Sequence, residues 1–213
     1  MRKGANLVIH QTTDKLQGMP TYSEDLGLDL GRSEDRFKWL LASILFAKRI
    51  SHKVAMATFQ RFQEEGVNTP EAILAAGWDR LVQILDEGGY VRYDFSTASN
   101  LLDAMNKLTM DFGSLEGLNA EAKDARELEN SLGSLKGIGP VAVNIFLREL
   151  RSLWPKADPD PSPVARRLAG RLGMSEAEIR KPRVESALVK IYLDYCKKRK
   201  CSECMVKEGC YEA

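Results

Sequence analysis

The stretch that decides the fold is LKGIGPVA, which spans residues 135–142. Gly137 and Gly139 stand one residue apart, so the backbone can turn tightly and leave its N–H groups exposed. Pro140 suits the first turn of a following helix, where a missing N–H costs no hydrogen bond. A hairpin of this kind would present backbone amides and a helix N-terminus to a phosphate. A plain helix–helix turn would use the same two glycines, and the sequence leaves that alternative open.

Apolar residues on both sides of this stretch recur with helical spacing. Phe37 begins a face that follows the i, i+3, i+4 pattern as far as Leu45, and Ala98 begins another that reaches Leu108. Alternation typical of strands is almost absent, and only Asn6 to His10 suits an extended segment. Four prolines in residues 151–163 rule out a helix through that stretch. The sequence therefore predicts an all-α protein of roughly ten helices.

Composition narrows the class of protein. The chain has 213 residues, of which 44% are hydrophobic and 29% charged, as in ordinary globular proteins. A disordered chain, a collagen-like chain and a disulfide miniprotein are therefore excluded. No apolar run approaches the ~18 residues of a membrane helix, and the N-terminus lacks the apolar core of a signal peptide. We expect a soluble, cytoplasmic protein that does not enter a membrane.

Charge is unevenly distributed along the chain. The net charge is +1, yet residues 1–150 carry 17 basic and 21 acidic side chains, whereas residues 151–213 carry 14 and 9. A basic final third on a nearly neutral protein suggests a face that binds a polyanion. A merely solvated surface would have the same composition, so charge alone does not decide between them.

All the cysteines lie in the last 18 residues, in a C-x4-C-x2-C-x5-C run. They are Cys196, Cys201, Cys204 and Cys210. Thiolates gathered in this way in a reducing compartment usually bind a metal, because disulfides are disfavoured there. Four cysteine ligands suit either an iron–sulfur cluster or structural zinc, and the spacing leaves both open.

Four consecutive cations separate the first two cysteines. They are Lys197, Lys198, Arg199 and Lys200, hereafter the cation loop. If the flanking thiolates are fixed by a metal, the loop is displayed on a rigid base. Contact with nucleic-acid phosphates would then add affinity through the release of counterions. The other interpretation is a solvated, solubilising terminus.

The segment from Leu135 to Ala142 resembles the helix-hairpin-helix of the DNA glycosylase superfamily that includes endonuclease III and the adenine glycosylases. Phe37 to Ala55 resembles the early barrel helix of that family, and residues 68–74 followed by Gly89 and Tyr90 resemble the segment that leads to the hairpin. The cysteine run resembles the family's [4Fe-4S] loop, with a shorter first gap of four residues. The resemblance spans about residues 30–212 and favours an iron–sulfur cluster over zinc.

The resemblance implies a two-part helical glycosylase fold. Residues 37–150 would form a helical barrel domain that ends in the helix-hairpin-helix, and residues 1–36 with 151–213 would form the iron–sulfur cluster domain. Double-stranded DNA would bind across the cleft of a monomer. The residues implied in DNA binding are Lys48, Gly137, Ile138, Gly139, Val141, Arg166, Lys197, Lys198, Arg199 and Lys200.

Departures from the family pattern set the expected chemistry. Bifunctional members carry a Schiff-base lysine two residues after the second hairpin glycine, where this chain has Val141. Because valine is not a nucleophile, lyase activity by that route is excluded. The glutamate of adenine glycosylases is replaced by Ala42, and the glutamine that fills the space of a flipped base corresponds to Lys48. The expectation is a monofunctional DNA N-glycosylase that removes a damaged or mismatched base.

The catalytic aspartate of the family precedes the helix after the hairpin, which points to Asp160 with Asp158 in reserve. Arg166 matches the family's arginine if one residue is inserted after Asp160. Ser162 and Pro163 also form a good N-cap and first-turn pair, so a purely structural role for Asp160 remains an alternative. Two other functions stay open. One is a catalytically silent relative that recognises DNA structure or damage, and the other is a zinc-dependent interaction module.

Overall fold

A computed structural model describes the backbone of residues 2–211 and the side chains of residues 9–211. This part of the chain is helical and contains no strand, which confirms the all-α prediction. Its α-helices are α1 Arg2–Gln17, α2 Tyr22–Asp25, α3 Ser33–Phe46, α4 His52–Glu64, α5 Pro70–Glu87, α6 Asp94–Phe112, α7 Leu115–Glu121, α8 Ala125–Gly133, α9 Pro140–Arg148, α10 Pro163–Arg171, α11 Glu176–Ile179 and α12 Val184–Ile191.

The extended conformation expected for Asn6 to His10 is wrong, because these residues lie within α1. Two interactions between residues four positions apart stabilise this helix. The hydroxyl of Thr13 donates to the carbonyl of Ile9 at 3.0 Å, and His10 lies 2.9 Å from Asp14. Residues four positions apart lie next to each other on a helix and not on a strand. The prediction considered only the alternation of apolar residues and did not take these pairs into account.

Helix α3 runs through the larger of two buried clusters. Phe37, Leu41 and Leu45 are buried, as the spacing predicted, and Trp39 is fully buried as well. The indole Nε1 of Trp39 donates to the carbonyl oxygen of Phe146 in α9 at 3.2 Å. This packing fixes the helix after the hairpin against the centre of the protein.

Buried side chains fall into two clusters. The larger cluster extends from Tyr22 to Ala157. It includes Leu28 and Leu30 from the N-terminal segment, which here means residues 9–32, before α3. The smaller combines Leu16 of α1 with side chains of residues 165–206. The expected division into two domains stays a prediction, and the N-terminal segment contributes to both clusters.

Lys190 connects α12 to the N-terminal segment. Its ammonium is nearly buried and donates to the carbonyl oxygens of Pro20 at 2.6 Å and Thr21 at 3.1 Å. It also pairs with the carboxylate of Asp25 at 2.5 Å. Because several partners compensate the buried charge, removing any one of them would leave part of its desolvation cost unmet.

No helix in the described residues is long and apolar enough to cross a bilayer.

Candidate nucleic-acid interface

The glycine hairpin lies between α8 and α9. Gly137 has φ +80°, and a Cβ atom there would lie 2.7 Å from the Cβ of Asn100 in α6. Only glycine fits this position, because both the backbone conformation and the contact exclude a side chain. Leu135 and Ile138 turn inward and are buried, with the amide of Ile138 donating to the carbonyl of Leu135 at 3.1 Å.

Helix α9 starts without a side chain at its cap. Gly139 is the N-cap and has an extended backbone. A Cβ atom added to it would have no other atom within 4 Å. No side chain of residues 9–211 caps α9, so its first-turn amides are left for solvent or a ligand. Pro140 occupies the first turn, as predicted. Gly139 is therefore a place where another molecule could approach the backbone closely.

Lys48 shares a cleft with the hairpin. The cleft has a volume of about 540 Å³ and is lined by Ala47, Lys48 and residues 133–142. Lys48 follows the end of α3 and is far from the hairpin in sequence. Val141, in the same cleft, is 58% exposed, whereas Ala42 is fully buried in α3. The structure thus brings Lys48 together with Gly137, Ile138, Gly139 and Val141, and it gives Ala42 no access to a ligand.

The proline-rich loop of residues 151–162 places both candidate aspartates beside Arg180. The guanidinium of Arg180 lies 2.6 Å from the carboxylate of Asp158 and 2.8 Å from that of Asp160. Arg166 is 3.6 Å from Asp160, so the expected arginine is near the expected aspartate. The side chain of Asp160 remains 81% exposed. Asp160 can therefore meet a ligand only as part of an ion-paired group.

Ser162, not Asp160, caps the helix that follows. The Ser162 hydroxyl accepts from the amide of Ala165 at 3.3 Å, and Pro163 opens α10. The N-cap role considered for Ser162 is thus confirmed, and the helix start does not aim the carboxylate of Asp160. Whether Asp160 is catalytic stays a prediction.

The buried Glu185 and the half-buried Arg151 and Asn144 hold this loop in place, and sequence reasoning missed all three. Glu185 of α12 is 1% exposed and accepts from the amide of Ser162 at 2.8 Å. It forms an ion pair with Arg151 at 2.7 Å, although the contact lacks hydrogen-bond alignment. Asn144 of α9 donates to the carbonyl oxygen of Asp160 at 2.9 Å. The one signal in the sequence was the position of Glu185, an acid among the apolar residues Val184, Leu188 and Ile191 of the same helix.

Glu129 of α8 faces the same loop. Partial burial raises the pKa of its carboxyl, and the negative charges of Asp160 and Asp158 raise it further. A carboxyl in this position holds its proton more readily than an exposed glutamate. Asp158 and Asp160 thus act on Glu129 although Arg180, Arg166 and Arg151 lie beside them.

The four cysteines follow α12, and three of them contact the smaller buried cluster, whereas Cys201 is exposed. Cys204 is buried within that cluster, and Cys196 and Cys210 pack against it. All four thiols are free of disulfide bonds. Burial raises the pKa of the Cys196 thiol, the charges of Cys204, Cys210 and Cys201 raise it further, and the charge of Arg171 opposes them.

The arrangement of the thiols does not by itself form a metal site. Among the described residues, no group of three or more His, Cys, Asp or Glu side chains is placed to hold a metal ion. The donor chemistry nevertheless fits, because four neighbouring unpaired thiols suit an iron–sulfur cluster or zinc. A [4Fe-4S] cluster, and zinc as the alternative, remain predictions.

The cation loop is exposed along its whole length. Lys198 pairs with Asp194 at 3.1 Å, and Lys200 with Glu203 at 3.4 Å. Lys197 and Arg199 have no side-chain partner among the described residues, and Arg199 adopts a left-handed backbone with φ 56°. Half of the loop's positive charge is therefore free to meet an anion.

Comparison with known proteins does not assign a family: no protein-family model matches the chain, and no curated protein matches it.

Proposed function

We propose that the protein binds double-stranded DNA at the glycine hairpin and excises a damaged or mismatched base as a monofunctional DNA N-glycosylase. The observation that carries the proposal is the shared cleft of Lys48 and the hairpin. Uncapped amides at the start of α9 would bind a phosphate, and Lys48 would occupy the space left by an extruded base. The free cations Lys197 and Arg199 would contact further phosphates.

The proposed reaction breaks the N-glycosidic bond. Water adds at C1′ of the deoxyribose, the base leaves with the bonding electrons and takes up a proton, and the strand keeps an abasic site. Asp160 would stabilise the positive charge that develops on the sugar. Val141 has no nitrogen, so no imine forms at its position and the strand stays intact.

The cysteines would hold a [4Fe-4S] cluster, with zinc as the less favoured occupant. The metal would supply structural order and present the cation loop, since residues after Tyr195 contribute few buried apolar side chains. No chemical step requires it.

A second function is favoured by one observation. The carboxylate of Asp160 is paired with Arg180 and lies near Arg166, which weakens its attraction for a cationic sugar. Combined with Val141, this pairing suits a catalytically silent relative that recognises DNA structure or damage. Binding would still use the hairpin and Lys48.

A lesion screen separates the two functions. Duplexes that each carry one damaged or mismatched base are incubated with excess protein, and one half of each reaction is treated with alkali. Excision without lyase activity gives strand breaks only after alkali. Lys48→Ala and Lys123→Ala, at an exposed lysine that does not line the cleft, form a matched pair, of which only the first should weaken binding. Binding without breaks on any duplex supports the silent relative, and equal binding by both variants contradicts the cleft assignment.

A further inference from the structure

Arg148, near the end of α9, is a buried cation without an anionic partner. The residue is 6% exposed, and its Nε is buried with no hydrogen-bond partner. Its guanidinium lies 5.7 Å from the ring centroid of Tyr22, and the described residues supply neither a carboxylate nor a carbonyl oxygen to it. A cation–π contact and the C-terminal end of a helix offset only part of the cost of burying a charge.

Arg148 lines a cavity of about 460 Å³. The cavity lies between residues 21–31 of the N-terminal segment, residues 148–153 after α9, and the Pro182 to Arg183 turn. Since α9 rises by roughly 1.5 Å per residue, this cavity is separated from the hairpin by most of the helix length. Its volume is in the range of small-molecule sites. It is a different place from the proposed DNA cleft.

The acidic groups around the cavity already have partners. Glu149 accepts from the amides of Tyr22 and Ser23, each at 3.1 Å. Glu24 pairs with Arg183, and Asp29 accepts from the amide of Gly31 at 2.9 Å. Arg183 pairs with Glu24 and Arg151 with Glu185, so Arg148 is the lining arginine that has no ion pair among the described residues.

We propose that this cavity binds a small organic anion, a phosphate monoester or a carboxylate with an apolar body. The planar guanidinium of Arg148 matches the paired oxygens of either group. Leu28, Leu30 and Leu153 also line the cavity and would contact the apolar body. The bound anion neutralises the charge of Arg148. This site is independent of DNA binding.

Calorimetric titration of the full chain, without DNA, tests the site. The probes are phenyl phosphate and benzoate, with benzylamine as a cation of similar size. Arg148→Gln removes the cation. Ser152→Phe fills the cavity from its exposed rim and leaves Arg148 in place. Arg126→Gln removes an exposed arginine elsewhere and is the matched control.

The expected result is saturable binding of at least one anion and none of benzylamine. Both cavity variants should weaken binding by about tenfold or more, and Arg126→Gln should not change it. The probe anion that binds more tightly shows whether the site prefers a phosphate monoester or a carboxylate. If Arg148→Gln fails to fold, Ser152→Phe decides alone. Absence of saturable anion binding, equal binding of benzylamine, or full binding by Ser152→Phe overturns the proposal.

Discussion

The guanidinium of Arg180 lies 2.8 Å from the carboxylate of Asp160, and 20 residues separate the two in the chain. The same guanidinium holds Asp158 at 2.6 Å. One arginine thus fixes both candidate acids at the surface of the proline-rich loop. The role of each acid must be separated by substitution.

The proposed chemistry requires the charge of Asp160. Asp160→Asn should lower the single-turnover excision rate by roughly 100- to 1000-fold, because an electrostatic stabiliser of the transition state is lost. DNA affinity should be unchanged. Asp158→Asn keeps the loop and serves as the control, with an expected loss of less than about tenfold. Full activity in Asp160→Asn would move the role to Asp158 or another acid. Borohydride trapping of a protein–DNA adduct would reveal an amine nucleophile, with Lys48 and Lys136 the first to replace.

Salt dependence should distinguish the members of the cation loop. Replacing Lys197 and Arg199 together by Gln should reduce the slope of log affinity against log salt by about 1.8, at ~0.9 per phosphate contact. Replacing Lys198 and Lys200 should have a smaller effect, because Asp194 and Glu203 already pair with them. The measurement is fluorescence anisotropy of a labelled duplex over a salt series. Equal slopes for the wild type and the first double variant would exclude the loop from the interface.

Metal analysis decides the identity of the cofactor. Anaerobically purified protein should contain about four iron atoms and about four sulfides per chain and absorb near ~400 nm. Cys204→Ser should lose the cluster and loosen residues 196–210, which hydrogen exchange would detect. Replacement of the exposed Ser202 by Ala is the control. About one zinc per chain without sulfide would establish the zinc alternative.

The hairpin should tolerate substitution at one glycine and not at the other. Gly137→Ala should lower the free energy of unfolding by about 1–3 kcal/mol, because an alanine at φ +80° is strained and its Cβ meets Asn100. Gly139→Ala should change it by less than about 1 kcal/mol, since its backbone is extended and the space is open. Urea denaturation measures both. Equal destabilisation would mean that the hairpin conformation is different. A selective loss of DNA affinity in Gly139→Ala would support close phosphate approach.

Asp35 should contribute to the pH dependence of stability. Burial raises the pKa of this carboxyl, but the ammonium of Lys38 and the amide of Asp29 together outweigh burial and hold the pKa below its ordinary value of 3.8. A lowered folded-state pKa stabilises the protein above the unfolded value, and the contribution disappears as the pH falls through the folded value. Wild type should therefore exceed Asp35→Asn in stability at about pH 6, and the difference should shrink towards about pH 3. Urea denaturation at both values is the measurement. A difference between wild type and Asp35→Asn that is the same at both pH values would contradict the assignment.

Local periodicity was sufficient for the helices that build the core. The apolar face from Phe37 to Leu45 predicted α3, and the Gly137 to Pro140 pattern predicted a turn followed by a helix. Both depend on residues a few positions apart. The interactions that position the candidate site do not. Arg180 meets Asp160 and Glu185 meets Arg151 only after the chain has folded, and no spacing rule connects them. Arg148 was missed for a related reason, because an unpaired cation is visible only when its surroundings are known.

The contact of Lys190 with Pro20 and Thr21 has a consequence for how the protein is made. These residues are 170 and 169 positions apart, so the N-terminal segment leaves the ribosome long before the lysine that anchors it. Until then Tyr22 and Leu28 can pack only against the growing helical core, and the carbonyl oxygens of Pro20 and Thr21 must bond to water. Pro20 and Thr21 can therefore close onto α12 only after Lys190 has been synthesised. A nascent chain halted before Lys190 should present residues 9–21 to proteases that the finished protein resists.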